Sequence, residues 1–340
     1  MTTAAPVRVG VVGLGFFGRL HAATVAGLPE FDLVAVCARS GASIERLRAS
    51  GYSGPAWTDF AKAVAESDAE AWIVASSTAT HVDFARTALE AETSVLVEKP
   101  LATSLAAARS LRPAVEASAG RMMMGHILLF GSEFLALREE VARRGRPRFM
   151  QFARHRQAAL RDDPTASPIS LVMVHDLYCA QALMGQEEPL QFVAMLDKAD
   201  GSAPGQLSVA QLRWADGAIA SFSASFLAPE GMGEHGYDRL DVLGDGWSAI
   251  LSPNPRPITV WDKQANYPMG LELRTDPPAG MLAEELRSFA AVVRGGNPPT
   301  GATFDDALQL QRWIQTLHGS QFDAPANRAN RIDPKSKGAT

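Results

Sequence analysis

One short stretch near the start of the chain restricts its fold more than any other. A largely apolar strand, Val7 to Val12, runs directly into Gly13-Leu14-Gly15-Phe16-Phe17-Gly18 and then into a helical stretch reaching about Ala26. A second apolar strand, Asp32 to Cys37, closes a strand-helix-strand unit. In that setting each glycine has a physical task. Gly13 allows the tight turn, Gly15 lets the backbone approach a pyrophosphate, and Gly18 lets helix and strand pack closely. The helix start adds free N–H groups and the positive end of its dipole, so a dinucleotide site is expected here.

The alternation continues with a strand at Trp72 to Ala75, a helix from about Thr80 to Ala91, a strand at Ser94 to Val97, a helix from about Ser104 to Ala117 and a strand at Met122 to Met124. Strands alternating with helices imply a parallel sheet covered on both faces. The expectation is an α/β protein whose N-terminal Rossmann domain, a doubly wound parallel sheet, occupies residues 1–125. Beyond it the rhythm changes. A helix around Glu133 to Arg143, a strand around Arg148 to His155 and a helix from about Ile169 to Met184 precede strand-like runs near 190–197, 207–214, 218–227, 238–243, 247–251 and 257–262. Ala215-Asp216-Gly217 reads as a hairpin turn. Two closing helices, about Met281 to Arg294 and Phe304 to His318, flank a glycine-proline break, and a polar tail follows from about Asp323. Residues 126–340 are therefore expected to form a C-terminal α+β domain on an open, mostly antiparallel sheet, serving substrate binding and oligomerisation.

Composition removes several classes of function. The net charge of −5 offers no concentrated basic face for nucleic acid or an anionic membrane. No apolar run approaches the roughly 20 residues of a membrane span, and no export signal precedes the first strand, so a cytoplasmic location is expected. The two cysteines, Cys37 and Cys179, suit a reducing compartment and do not have metal-ligand spacing. No HExxH motif is present, and a catalytic metal is not expected. GxSxG and the phosphate-loop signature are absent too, which removes the commonest hydrolases and phosphoryl transferases.

The end of the second strand bears on the cofactor. An NAD site places a carboxylate there to hold the adenosine ribose, but this chain reads Cys37-Ala38-Arg39-Ser40. Arg39 and Ser40 suit the extra phosphate of NADP, which is the preferred cofactor, with NAD the alternative. The strand ending Val97-Glu98-Lys99-Pro100 carries a lysine to the carboxyl edge of the sheet, where open α/β sheets bind ligands. Pro100 has no N–H to give the sheet, so the strand must stop there.

Taken together, GLGFFGRLHAA at 13–23, SSTATHVDFA at 76–85, VLVEKPLA at 95–102, MGHILLF at 124–130 and VHD at 174–176 resemble the glucose-fructose oxidoreductase, inositol dehydrogenase and MocA family (Gfo/Idh/MocA). The resemblance implies an NAD(P)-dependent dehydrogenase or reductase acting on a sugar, polyol, cyclitol or sugar acid. It implies Lys99 and His175 as the catalytic pair. Phe16, Phe17, Ser77, Thr78, His81 and Glu98 would line the cofactor beside the glycines, with His21 and His81 as structural residues on that side. The same resemblance places an aspartate four residues before the histidine, but this chain has Leu171 there. Leucine cannot relay a proton, so acid-base work falls to Lys99 and His175 or to a neighbouring donor. His126, Arg154, Arg156 and Tyr178 are the candidates near the expected cleft, with His155 beside them.

Two further readings keep the fold and change the function. One is a redox-neutral epimerase, oxidoisomerase or glycosidase that oxidises transiently and reduces again. The other is a non-catalytic dinucleotide-binding protein. A homodimer or homotetramer joined through the second sheet is also expected.

Overall fold

The computed structural model describes residues 5–320 except 119–120, 162, 198–204, 233–235, 255–259, 262–264, 267–272 and 276–277. Asp162, most of the expected strand at 257–262 and the tail from Asp323 therefore lie outside the described residues.

Six parallel strands form the first sheet: β1 (Val7–Val12), β2 (Phe31–Cys37), β3 (Ala56–Trp57), β4 (Ala71–Val74), β5 (Ser94–Glu98) and β6 (Met122–Gly125). Their order is β3-β2-β1-β4-β5-β6. In β4 and β5 every residue is buried, as expected when helices cover both faces. The connecting helices are α1 (Phe16–Gly27), α2 (Gly41–Ala49), α3 (Phe60–Glu66), α4 (Thr78–Glu90), α5 (Leu105–Arg109) and α6 (Arg112–Ala117). The strand order reverses direction beside β1, which opens a crevice at the carboxyl ends of β1 and β4.

Two departures from expectation have local causes. The helix expected over 104–117 is broken between Arg109 and Arg112, because Pro113 sits in the first turn of α6 and has no N–H to continue the ladder from α5. The segment 38–70, unassigned from sequence, forms α2, β3 and α3, elements of nine, two and seven residues that are too short to show a clear period.

After α7 (Ser132–Arg144) comes β7 (Phe149–His155) and then α8 (Val174–Leu183). β8 (Gln191–Leu196), β9 (Leu207–Arg213), β10 (Ile219–Ser225), β11 (Tyr237–Gly244) and β12 (Trp247–Asn254) complete a second six-stranded sheet in the order β12-β11-β7-β10-β9-β8. It is mostly antiparallel, as expected, but its central pair, β7 with β10, is parallel. The β9–β10 hairpin closes at Ala215-Asp216-Gly217, with Gly217 at a φ of +87°. One face of this sheet packs inward through Met150, Phe152, Ala220, Phe222, Leu240 and Val242. Register puts Phe149, Ile219 and Leu243 on the opposite face, together with Met195 and Ile250.

Helices α9 (Met281–Val293) and α10 (Phe304–Gly319) return to the first sheet. Phe304, Ala307 and Leu308 belong to the same apolar core as Trp72, Val74 and Val97. Ala302 accepts a backbone hydrogen bond from Met124 at the end of β6, 2.9 Å. Asp306 and Thr303 form a capping box that starts α10, and Arg112 reaches Asp305 at 2.6 Å. Phe304→Ala removes a buried ring from this junction and is expected to cost about 3–5 kcal/mol. A denaturant titration that showed no fall in midpoint would contradict this placement.

Candidate active site

The glycine turn is shaped for a phosphate group. Gly13 holds a φ of +91°, and a Cβ there would sit 2.4 Å from the Ser76 backbone, so only glycine lets the two loops meet. A Cβ on Gly18 would lie 1.7 Å from the Gly13 carbonyl. Gly15 is different: a Cβ would meet nothing within 4 Å, so the approach to the helix start is open. Gly15 is also the N-cap of α1, and no side chain caps the first N–H groups. Free N–H groups facing an open approach fit the pyrophosphate of a dinucleotide. Phe16 stands 68 % exposed above this turn, and Phe17 is half-buried behind it.

Around the crevice the other expected cofactor residues are distributed in two ways. Arg39 and Ser40 follow β2 and are exposed, and Ser40 makes no side-chain cap for α2. Ser77, also exposed, is the N-cap of α4, and Thr78 is half-buried. His81 is buried, with Nδ1 2.9 Å from the Pro100 carbonyl and Nε2 3.1 Å from the Ser76 carbonyl. It ties the loop after β4 to the end of β5. Burial lowers its pKa despite these two carbonyls.

Lys99 is half-buried at the carboxyl end of β5, and its backbone N–H donates to Glu98 Oε2 at 3.2 Å. The second carboxylate oxygen of Glu98 lies 2.8 Å from His21 Nε2 on α1. Burial alone would raise the Glu98 pKa, but the His21 hydrogen bond and nearby positive charge hold it below the ordinary value. Glu285 of α9 completes a buried group in which ligand atoms of His21, Glu98 and Glu285 lie within 4.8 Å of one another. Sequence reading had no means of finding this group, because its members come from three distant segments and none stands in a recognised spacing. Neither carboxylate oxygen of Glu285 has a partner among the described residues, and burial, with the Glu98 charge, pushes its pKa well above the usual range. Glu285 is thus held as the neutral acid.

Beyond the first sheet, α8 carries the histidine singled out from the sequence. The turn before it, Ile169–Met173, is π-helical, so the expected single helix over 169–184 begins with a wider turn. Leu171 is half-buried and packs on the main apolar core. His175, also half-buried, places Nδ1 2.9 Å from the Tyr178 hydroxyl. Burial first, then the charges of Lys99, Arg154 and Arg156, lowers the His175 pKa well below its ordinary value. Its surroundings therefore favour the neutral imidazole.

Several candidates from the sequence are engaged elsewhere. Arg154 is buried and paired with Asp176 at 2.8 Å and Asp238 at 3.0 Å, which keep it charged against the cost of burial. Arg156 grips Asp238 through both terminal nitrogens, at 2.7 and 3.0 Å. Both guanidinium groups thus support β7 and β11. His155 Nδ1 lies 2.8 Å from Ser225 Oγ. His126 is fully buried, donates Nδ1–H to the Gly301 carbonyl at 2.6 Å and stacks on Tyr178 with ring centres 4.4 Å apart. Burial drives its pKa down to about 4. It stands behind Tyr178 as support.

Residues 7–126 match the family pattern GFO_IDH_MocA, an oxidoreductase family with an NAD-binding Rossmann fold. Over these residues, its first sheet and the helices around it, the chain carries this family's NAD-binding fold. It is an NAD(P)-binding oxidoreductase, and its curated relatives are distant. Inositol 2-dehydrogenase of Rhizobium meliloti (strain 1021) is 28 % identical over 312 residues, covering 85 % of this chain and 89 % of the relative. Myo-inositol 2-dehydrogenase of Thermotoga maritima is 25 % identical, covering 89 % and 93 %. Among solved structures, GenD2 from gentamicin A biosynthesis in complex with NAD superposes with a TM-score of 0.82 at 22 % identity, covering 94 % of this chain and 95 % of that one. Scyllo-inositol dehydrogenase from Lactobacillus casei gives 0.81 at 19 %, covering 94 % and 97 %.

The neutral Glu285 has a consequence for stability. Its folded pKa lies above the unfolded value of 4.5, so the stability it allows is greatest below that value and declines as pH rises toward the elevated one. Glu285→Gln keeps the shape of the neutral acid and is expected to match the wild type at low pH and exceed it at neutral and alkaline pH. Parallel midpoints for the two proteins across the pH range would refute this assignment.

Proposed function

We propose that the chain is an NAD(P)-dependent dehydrogenase acting on a secondary alcohol of a cyclitol or sugar, or on the corresponding ketone. The observation that carries this reading is the convergence of Lys99, delivered by β5 of the first sheet, with His175, delivered by α8 of the second domain. The lysine charge is felt at His175 strongly enough to lower its pKa, second only to burial. Relatives with inositol 2-dehydrogenase names support the substrate class.

The glycine turn, Phe16, Ser77 and Thr78 would hold the dinucleotide, which when bound supplies or accepts the hydride. The residues of this chain do the rest. Lys99 takes or returns the hydroxyl proton, and His175 holds the substrate oxygen. Glu98 fixes the backbone on which Lys99 rides. A preference for NADP over NAD is supported by Arg39 and Ser40 at the edge of β2 and by the lack of a carboxylate at that position.

Association into dimers or tetramers through the outer face of the second sheet is part of the same reading. Met195, Leu243 and Ile250, at 58 %, 48 % and 62 % exposure, support it. A light-scattering mass equal to one chain would contradict this element.

The central test is titration with NADPH and NADH followed by fluorescence, then a panel of inositols, sugars and polyols read at the nicotinamide absorbance. Lys99→Ala is expected to lower kcat by roughly 10²–10⁴-fold while cofactor still binds. Arg39→Ala is expected to weaken NADPH binding about tenfold and NADH binding little. Cofactor binding with no turnover across the panel would sink the dehydrogenase reading, and equal loss for both nucleotides would remove the NADP preference.

A further inference from the structure

We propose that Tyr178 fixes His175 as a neutral hydrogen-bond donor toward the crevice, which leaves Lys99 as the one member of the pair able to take the substrate proton. The inference rests on the dehydrogenase reading for its catalytic meaning, but its structural basis is a count of donors and acceptors. The Tyr178 hydroxyl has one proton and two lone pairs. It is fully buried, and its partners among the described residues are the Leu128 N–H at 3.2 Å and His175 Nδ1 at 2.9 Å.

A backbone N–H can only donate, so Leu128 occupies a lone pair. The tyrosine proton then has one acceptor among the described residues, His175 Nδ1. Were Nδ1 itself protonated, two donors would meet at the phenol oxygen and the buried hydroxyl proton would have no partner, an arrangement with a high desolvation cost. Nδ1 therefore accepts. A neutral imidazole carries a single N–H, which must lie on Nε2.

The neighbours leave this choice unopposed. Burial of the ring first, and then the charges of Lys99, Arg154 and Arg156, disfavour a second proton on it. Leu171, one turn back, has no polar atom to compete for His175. The phenol is held in place by stacking against His126 at an interplanar angle of 9°, and His126 is itself anchored to the Gly301 carbonyl. Tyr178 is thus a positioning residue that acts through His175. In the oxidative direction the Lys99 ammonium first gives a proton to solvent and its free amine then takes the hydroxyl proton, while His175 keeps its own proton and donates to the substrate oxygen throughout.

Nitrogen NMR of protein labelled at its histidine rings reads the tautomer directly, and His175→Gln assigns the resonances by their loss. The wild type is expected to show His175 protonated at Nε2 and bare at Nδ1 between about pH 6 and 8, with no titration in that range. Tyr178→Phe is expected to shift His175 toward a mixture of tautomers and to lower kcat roughly tenfold, the worth of one hydrogen bond lost. A wild-type His175 protonated at Nδ1 would overturn the proposal, as would a Tyr178→Phe protein that kept the wild-type tautomer. The wild-type spectrum needs no substrate and no variant fold. A protein with the expected tautomer but no turnover on any substrate would count against the dehydrogenase reading alone.

Discussion

The carboxylate of Glu98 is the joint on which the site depends. It is buried at the end of β5, where the strand can no longer satisfy its own backbone, and it accepts the N–H of the next residue. Its other oxygen holds His21 from the helix that starts at the glycine turn. Glu285 of α9 is buried within 4.8 Å of the pair without a hydrogen bond to either. The nucleotide-facing helix, the lysine-bearing strand and the returning C-terminal helix are thus registered against one another through a single charged group. A carboxylate in so dry a place is tolerated only because its neighbours supply donors and positive charge.

A similar economy governs the other side of the crevice. Arg154, Arg156, Asp176 and Asp238 form a buried network at the junction of α8, β7 and β11. Their positive members raise the local potential around His175, and their negative members keep the arginines from reaching outward. The result is a helix whose position is set by charge pairs and whose His175 is kept uncharged first by burial, then by Lys99 and these arginines.

The parts of this arrangement that were legible in the sequence are those written by local pattern. The strand, glycine turn and helix at 7–26 and the EKP run at 98–100 announce themselves by period and punctuation, and the structure assembles them at the crevice edge. What escaped was set by distance along the chain. Glu285 lies in an ordinary amphipathic helix, and only folding brings it within 4.8 Å of its partners among His21 and Glu98. Arg154 and Arg156 looked available to a substrate because the aspartates that engage them, Asp176 and Asp238, stand 22 and 82 residues away from Arg154 and Arg156 respectively. His126 looked like a candidate near the cleft, but it is sealed by a loop 175 residues further on. The wider turn at Ile169–Met173 was hidden too, since a π-turn and an α-turn share the same apolar spacing over so few residues.

The return of α10 to the first sheet carries a consequence for the order of events in the cell. Phe304, Ala307 and Leu308 close a core whose other members were made some two hundred residues earlier. A chain emerging from the ribosome amino end first must hold β4, β5 and α5 with that surface uncovered until α10 has been made. The nucleotide-binding half is therefore not a module that matures and waits for its neighbour. Its completion waits on α10, and a ribosome that stalls within the second sheet leaves behind an unfinished first one.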